Sequence, residues 1–189
     1  MLEISFFMGE LIFSILWVLS RAIVWGKNKK IDFKREALLM LMYINLFVII
    51  RFVFYELHKV NGKVLPLKLD MNKIWPLDVN LEPLVHLFDY ETRSEALINL
   101  YGNIGMFVPT GIILPILYKR VNRLWKAVGI GFAMSLIIEA SQLMFYERTS
   151  DVDDLILNTI GVAIGYLGCT LVKEIISVLA KPKKQIASE

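Results

Sequence analysis

Five apolar runs, each about 20 residues long, constrain what this chain can become. They cover Ile4–Trp25, Ala37–Tyr55, Leu97–Tyr118, Leu124–Tyr146 and Asp154–Leu179. At about 1.5 Å per residue, a helix of this length crosses a hydrocarbon core of about 30 Å. Hydrophobic residues make up 56% of the chain, against about 45–50% in soluble domains. The expected fold is an all-α, polytopic membrane helical bundle with five transmembrane helices, forming one domain over 1–189. The third run holds Gly102, Gly105, Pro109, Gly111 and Pro115, so a kinked or broken helix is expected there. The first run reads as a retained span: MLEISFFMGE carries no basic region, and no small-residue cleavage site follows the run.

Orientation follows from where Lys and Arg fall. Lys27, Lys29, Lys30, Lys34 and Arg35 lie between the first two runs, and Lys119, Arg120, Arg123 and Lys126 around the third connection. Lys181, Lys183 and Lys184 lie in the tail at 180–189. With five spans these segments share a side, which places the C-terminus in the cytoplasm and the N-terminus outside. Residues 56–96 then form an extracytoplasmic loop with seven acids against five bases. Pro66, Pro76 and Pro83 oppose a continuous helix there, and VLPLKLDM alternates loosely, so short extended pieces are expected over the bundle. Trp75, Leu77, Leu84, Leu87 and Phe88 are apolar enough to dip into the headgroup region. Trp25, Tyr118 and Trp125 fall at the inner boundary, and Tyr55, Tyr101 and Tyr146 near the outer one. Arg21 is close enough to the inner boundary to snorkel.

Ionisable and amide side chains inside apolar runs are costly and mark candidate functional positions. Counted from the expected outer ends, Arg51, Gln142 and Asn158 lie roughly 6–8 Å deep, and Asn103, Glu139 and Glu10 roughly 9–10 Å. All five spans thus contribute to one layer in the outer leaflet. Ser135, Glu139 and Gln142 share a helix face, as do Asn99 with Asn103 and Asp154 with Asn158. Gly161 and Gly165 continue that last face as a small-xxx-small pair suited to close helix contact. Candidate ligand-binding residues are Arg51, Asn103, Glu139, Gln142, Asp151, Asp154 and Asn158. Candidate acid–base residues are Glu139, Asp151 and Asp154. Two physical readings stand. In one, Arg51 pairs with Glu139 or an aspartate and the layer only fixes helix register. In the other, it lines an outward-facing pocket for a polar group at headgroup depth. Asp151, with one of its neighbouring aspartates, also suits capping of the fifth helix.

Other chemistries find little support. The net charge of +3 comes without a basic, aromatic-interleaved stripe, so nucleic acid is not expected. His58 and His86 are the only histidines, and Cys169 the only cysteine, so no zinc-ligand spacing exists and no metal or cofactor is expected. DVDD at 151–154 is too common a string to argue a cation by itself. Ser141 and Ser150 lack an evident histidine base.

NIGMFVPTGIILP (Asn103–Pro115), EASQ (Glu139–Gln142) and DVDDLILNTIGVAIGY (Asp151–Tyr166) resemble, in order and spacing, the VanZ-like membrane proteins. NLEP (Asn80–Pro83) is similar to a short element that those proteins place ahead of the third span. The resemblance covers about 80–168 and falls on Asn103, Phe107, Pro109, Gly111, Glu139, Gln142, Asp151, Asp154, Asn158 and Gly161. It implies a multi-pass protein of the bacterial plasma membrane, in a family whose founding member confers low-level resistance to teicoplanin-type glycopeptides. The expected partners are membrane lipids and either a lipid-linked cell-wall precursor or a glycopeptide antibiotic. The main expectation is a non-transporting binding module. The alternatives are a membrane enzyme modifying a lipid-linked or cell-envelope substrate by carboxylate chemistry, and a purely structural polar layer.

Overall fold

The computed structural model describes residues 2–28, 31–55, 64–70, 79–83, 92–146 and 148–180. A short strand, β1 (Leu2–Ile4), leads into helix α1 (Phe6–Lys27), followed by α2 (Phe33–Phe54). Two more strands, β2 (Leu67–Leu69) and β3 (Val79–Asn80), precede α3 (Arg93–Leu117) and α4 (Leu124–Gln142). Strand β4 (Ser150–Asp151) then runs directly into α5 (Val152–Leu179). The five helices are each long and apolar enough to cross a membrane. The protein is mostly helical, with the strands confined to one end of the bundle. Trp75, Leu77, Leu84, Leu87, Phe88, both histidines and the 181–189 tail lie outside the described residues.

The chain enters and leaves its helices on local signals. Ser5 caps α1, accepting from the Met8 amide, so the chain is extended to Ile4 and helical from Phe6. Asp32 caps α2 through the amides of Lys34 and Arg35, and Thr92 forms a reciprocal capping box with Glu95 at α3. The expected break in the third span does not occur, because α3 runs unbroken through Pro109 and Pro115. Neighbouring side chains support its backbone at that level. Asn45 of α2 donates to the Met106 carbonyl at 2.8 Å, and Thr110 donates to Asn45 at 2.6 Å. The fourth helix ends at Gln142, one turn earlier than its apolar composition suggested. The apolar residues beyond it dock the loop instead: the Asp70 amide donates to the Met144 carbonyl and the Tyr146 amide to the Lys68 carbonyl.

The core lies between α2, α3, α4 and α5. Phe107, Ala127 and Val162 are fully buried, with Leu39, Ile49, Ile113 and Leu114 around them. Large apolar side chains such as Phe7, Leu16, Ile137, Leu171 and Val178 are turned outward, as lipid contact requires. The closest approach is between α3 and α5. A Cβ on Gly161 would strike the Ile104 carbonyl, one on Gly165 the Val108 carbonyl, and one on Gly111 the Val162 carbonyl. Gly131 of α4 admits the Val162 side chain in the same way. By contrast Gly102 and Gly105 face open space. At the basic end, Arg21 of α1 makes an ion pair with Glu36 of α2 through two hydrogen bonds. Arg35 lies over the Tyr118 ring at 5.8 Å, which sets the start of α2 beside the end of α3.

Forcing α3 and α5 apart must carry an energetic cost. Gly161→Ala and Gly165→Ala are each expected to lower stability by about 1–3 kcal/mol. Gly105→Ala should be neutral or stabilising by up to about 1 kcal/mol, since it meets no neighbour and improves helix propensity. Unfolding midpoints in mixed micelles with increasing denaturing detergent check the contrast, and equal effects at Gly161 and Gly105 would contradict it.

Candidate functional site

The end of the bundle opposite the basic connections gathers most of the polar residues singled out in the sequence, around the junction of β4 and α5. Asp151 is the N-cap of α5, its Oδ1 accepting from the Asp153 amide at 2.8 Å. Its Oδ2 accepts from Asn80 Nδ2 at 3.2 Å, and its own backbone amide donates to Glu139 Oε2 at 2.9 Å. The capping role expected at this position is therefore present, and the same residue also ties the α5 start to α4. Asn80 belongs to β3, which pairs in parallel with β4 so that Asn80 faces Asp151. Its Oδ1 accepts from the Glu82 amide at 3.2 Å, a turn formed by the side chain itself. The NLEP segment thus holds the loop onto the acidic tip.

Glu139, one turn from the end of α4, is 4% exposed, and the Ser150 hydroxyl is aimed at the same carboxylate. Asp154 accepts from Asn103 Nδ2 of α3, which also reaches Asn99 Oδ1 at 3.4 Å. One turn deeper, Asn158 donates to Ser135 Oγ at 2.9 Å, while its Oδ1 has no partner among the described residues although only 1% of the residue is exposed. Asn103 and Asp153 are buried, while Asp151, Asp154 and Asn99 are half-buried and form the accessible margin. Among the described residues, the charges acting on Glu139 are Asp154 and Asp151, and those acting on Asp154 are Asp151 and Asp153. This group of carboxylates and amides from α3, α4, α5 and β3 is strongly biased towards hydrogen-bond acceptors. Among the described residues, no three His, Cys, Asp or Glu side chains converge in a way that would hold a metal ion.

Arg51 stands elsewhere. Its Nη1 donates to the Tyr55 carbonyl at 3.0 Å, and its guanidinium lies over Phe6 of α1 at 5.1 Å and Phe52 at 5.8 Å. It acts on Glu10 of α1, a buried residue whose carboxylate oxygens both lack hydrogen-bond partners among the described residues. Among the contacts described, none joins Arg51 to Glu139, Asp151, Asp153 or Asp154, and the charge it shares is with Glu10. The cause is angular. Arg51 and Val53 are two residues apart, about 200° around the helix. The Val53 carbonyl accepts from Gln142 Nε2 of α4 at 3.2 Å, whereas Arg51 serves the α1 side. Gln142 consequently stitches α4 to α2 and stands beside the carboxylate group, with its Oε1 unpartnered. Arg148, two residues before β4, donates twice to the Phe54 carbonyl, at 2.9 and 3.1 Å, at the end of α2.

The sequence reading of an outer layer passes over one buried polar contact. Asn45, halfway along α2 inside LMYINLFVII, joins Thr110 and the Met106 carbonyl at mid-bundle. A lone amide at the centre of an apolar run was the signal available for it. Asn80 had only its place in NLEP to mark it.

A model of the VanZ/LLP1 family matches residues 37–173, which takes in α2 to most of α5 and every residue of the carboxylate group. A curated relative, Protein VanZ of Enterococcus faecium, is 29% identical over 97 residues. The match covers 47% of this chain and 58% of that protein, so the chain spans little more than half the length of this relative. No solved structure gives a significant match.

The facing of Arg51 with Glu10 has a measurable signature. Arg51→Gln is expected to destabilise the fold, and Glu10→Gln in the same chain to recover part of the loss, with a coupling of about 0.5–3 kcal/mol. Glu139→Gln and Asp154→Asn should show no such coupling with Arg51→Gln. A double-mutant cycle on detergent-unfolding midpoints measures all three, and coupling to Glu139 in place of Glu10 would refute the assignment.

Proposed function

The chain belongs to the VanZ/LLP1 family, and from that premise we propose that it is a multi-pass protein of the bacterial plasma membrane contributing to teicoplanin-type resistance. In this reading the carboxylate group of α3–α5 faces the outside. It receives the polar part of a lipid-linked cell-wall precursor or of a lipoglycopeptide, whose apolar tail stays in the surrounding lipid. The observation that carries the reading is the excess of acceptors at one membrane-boundary position. Glu139, Asp151 and Asp154 lie together with Asn158 Oδ1 and, beside them, Gln142 Oε1, both without a partner among the described residues. Buried charges and polar atoms demand partners, and this set calls for amine, amide or hydroxyl donors. Amino sugars, peptide amines and sugar hydroxyls supply them. Because Arg51 lies on the α1 side, recognition rests on these donors, and a phosphate contact at Arg51 is not part of the proposal.

Asp154 and Asp151, partly exposed, would make the first contacts, with Asn99 and Asn103 beside them. Glu139 would act from beneath by orienting the α5 start through the Asp151 amide. A second reading, in which the group only staples α4 to α5, draws on that same bond. Glu139→Gln keeps an acceptor for the Asp151 amide but removes a charge, so it separates the two.

The test is resistance itself. Expression in a susceptible Gram-positive host is expected to raise the inhibitory concentration of teicoplanin several-fold. Asp154→Asn and Glu139→Gln should return it to the level of the empty host while protein abundance in the membrane stays the same. Unchanged susceptibility with the intact protein, together with unchanged precursor pools, would refute the proposal. Full activity of both variants would favour the staple. Chromatography of the lipid-linked precursors addresses the enzymatic alternative, which requires a product that disappears with Glu139→Gln.

A further inference from the structure

Away from the carboxylate group, the bundle opens between α1 and α2. The opening is a lateral cleft of about 420 Å³ with an almost wholly apolar wall. Ser14, Trp17, Arg21 and Trp25 of α1 line one side, and Glu36 and Tyr43 of α2 line the other. Packing between these two helices is sparse. Glu10 is the only buried residue of α1, and it lies beyond the cleft towards the opposite end. The aromatic contacts of Trp17 and Phe13 with Tyr43, at 5.5 Å each, hold the floor of the cleft, aided by the hydrogen bond between Ser14 and Tyr43 at 2.8 Å.

Depth identifies the occupant. From Ser14 to Trp25 the cleft runs about 16 Å along α1 at 1.5 Å per residue. One leaflet of a bilayer has a hydrocarbon depth of about 15 Å, half the core. An apolar cleft of that depth, open sideways in a membrane-spanning bundle, matches one acyl chain and offers water almost nothing to bond.

Charge identifies the headgroup. The cleft ends where α1 and α2 are joined, and the sequence from Lys27 to Glu36 carries five bases against two acids. Arg21 sits at that end, holding Glu36 with Nε and Nη2 and lying over the Trp25 ring at 5.9 Å. A guanidinium held in this way on one edge keeps the donors of Nη1 for a second anion, and its fork suits phosphate. Basic clefts between membrane helices are the usual receptors for acidic headgroups.

We propose that the α1–α2 cleft is a binding site for one anionic phospholipid of the base-rich leaflet. Its acyl chain lies in the cleft over the Trp17–Tyr43 contact, and its phosphate sits at Arg21, at the base-rich end of the two helices. The site is independent of the carboxylate group and of the proposal made for it. The bound chain fills what would otherwise be a void between α1 and the rest of the bundle, so the lipid is a structural part of the α1 contact.

The test uses the full-length protein in vesicles and tryptophan quenching by lipids brominated on the acyl chain. One variant keeps Trp17 alone (Trp25→Phe, Trp75→Phe, Trp125→Phe). A second keeps Trp125 alone, a residue at the basic end with Lys126 over its ring at 5.7 Å but no part of the cleft. Brominated phosphatidylglycerol is expected to quench Trp17 with an apparent association constant about fivefold above that of brominated phosphatidylcholine, the worth of about one headgroup–base contact. At Trp125 the preference should stay below about twofold, the level of general surface attraction. Adding Arg21→Gln with Glu36→Gln, which removes the ion pair without stranding a charge, should bring Trp17 down to the Trp125 level. Equal constants for the two lipids at Trp17, or the same preference at both reporters, would overturn the proposal. A folded Arg21→Gln/Glu36→Gln protein that keeps the preference at Trp17 would overturn the role of Arg21. If that variant does not fold, the comparison of Trp17 with Trp125 decides alone, because it alters no charge.

Discussion

The backbone contact between α3 and α5 is the constraint on which the rest of the bundle depends. Lipid provides no hydrophobic drive between helices, so association relies on close packing and on hydrogen bonds. Gly161, Gly165 and Gly111 bring the two backbones together, with carbonyl oxygens where side chains would otherwise be. That contact leaves α5 one register against α3, and in that register Asn103 meets Asp154. Val162, fully buried between Gly111 and Gly131, passes the same register on to α4. From there the α4–α5 interface climbs in steps of one turn. Gly131 faces Val162, Ser135 bonds Asn158, and Glu139 meets the Asp151 amide and the charge of Asp154. The polar group is the upper part of a ladder whose lower rungs are glycine and valine.

That ladder was legible in the sequence because helical spacing carries both of its coordinates. Steps of three or four residues at Ser135 and Glu139, and at Asp154, Asn158 and the two glycines, give the face as well as the height. Arg51 shows where the reading stops. Counting from the end of an apolar run locates a residue along the membrane normal but leaves its direction around the helix open. The α2 run around Arg51 is apolar, and Asn45 marks only the side that meets α3, so the turn of Arg51 towards α1 emerges only with its contact to Phe6 and the bond from Gln142 to Val53. The end of α4 was misread for a related reason. Leu143–Tyr146 are as apolar as a membrane span, but their backbone groups bond with Lys68 and Asp70 of the loop. Composition does not distinguish residues that face lipid from residues that lie beneath a loop.

The polar contacts of the bundle differ in how completely they are satisfied, and the difference follows position. At mid-bundle Asn45 uses both its donor and its acceptor on α3, and such a closed pair can do nothing but join helices. Nearer the strands, Asn158 uses its donor on Ser135 and leaves its acceptor open, as does Gln142 on Val53. At the α5 start Asn80 serves Asp151, Asn103 serves Asp154, and the Asp151 amide serves Glu139. Helix register alone would be served by closed pairs like Asn45–Thr110, which leave no desolvated atom unbonded. Among the described residues, the buried acceptors left open, on Glu10, Gln142 and Asn158, lie away from mid-bundle, towards the end that carries the strands. The contrast between the closed Asn45–Thr110 pair and these open acceptors is what the register reading alone leaves unaccounted for, whereas the number of polar residues fits either reading.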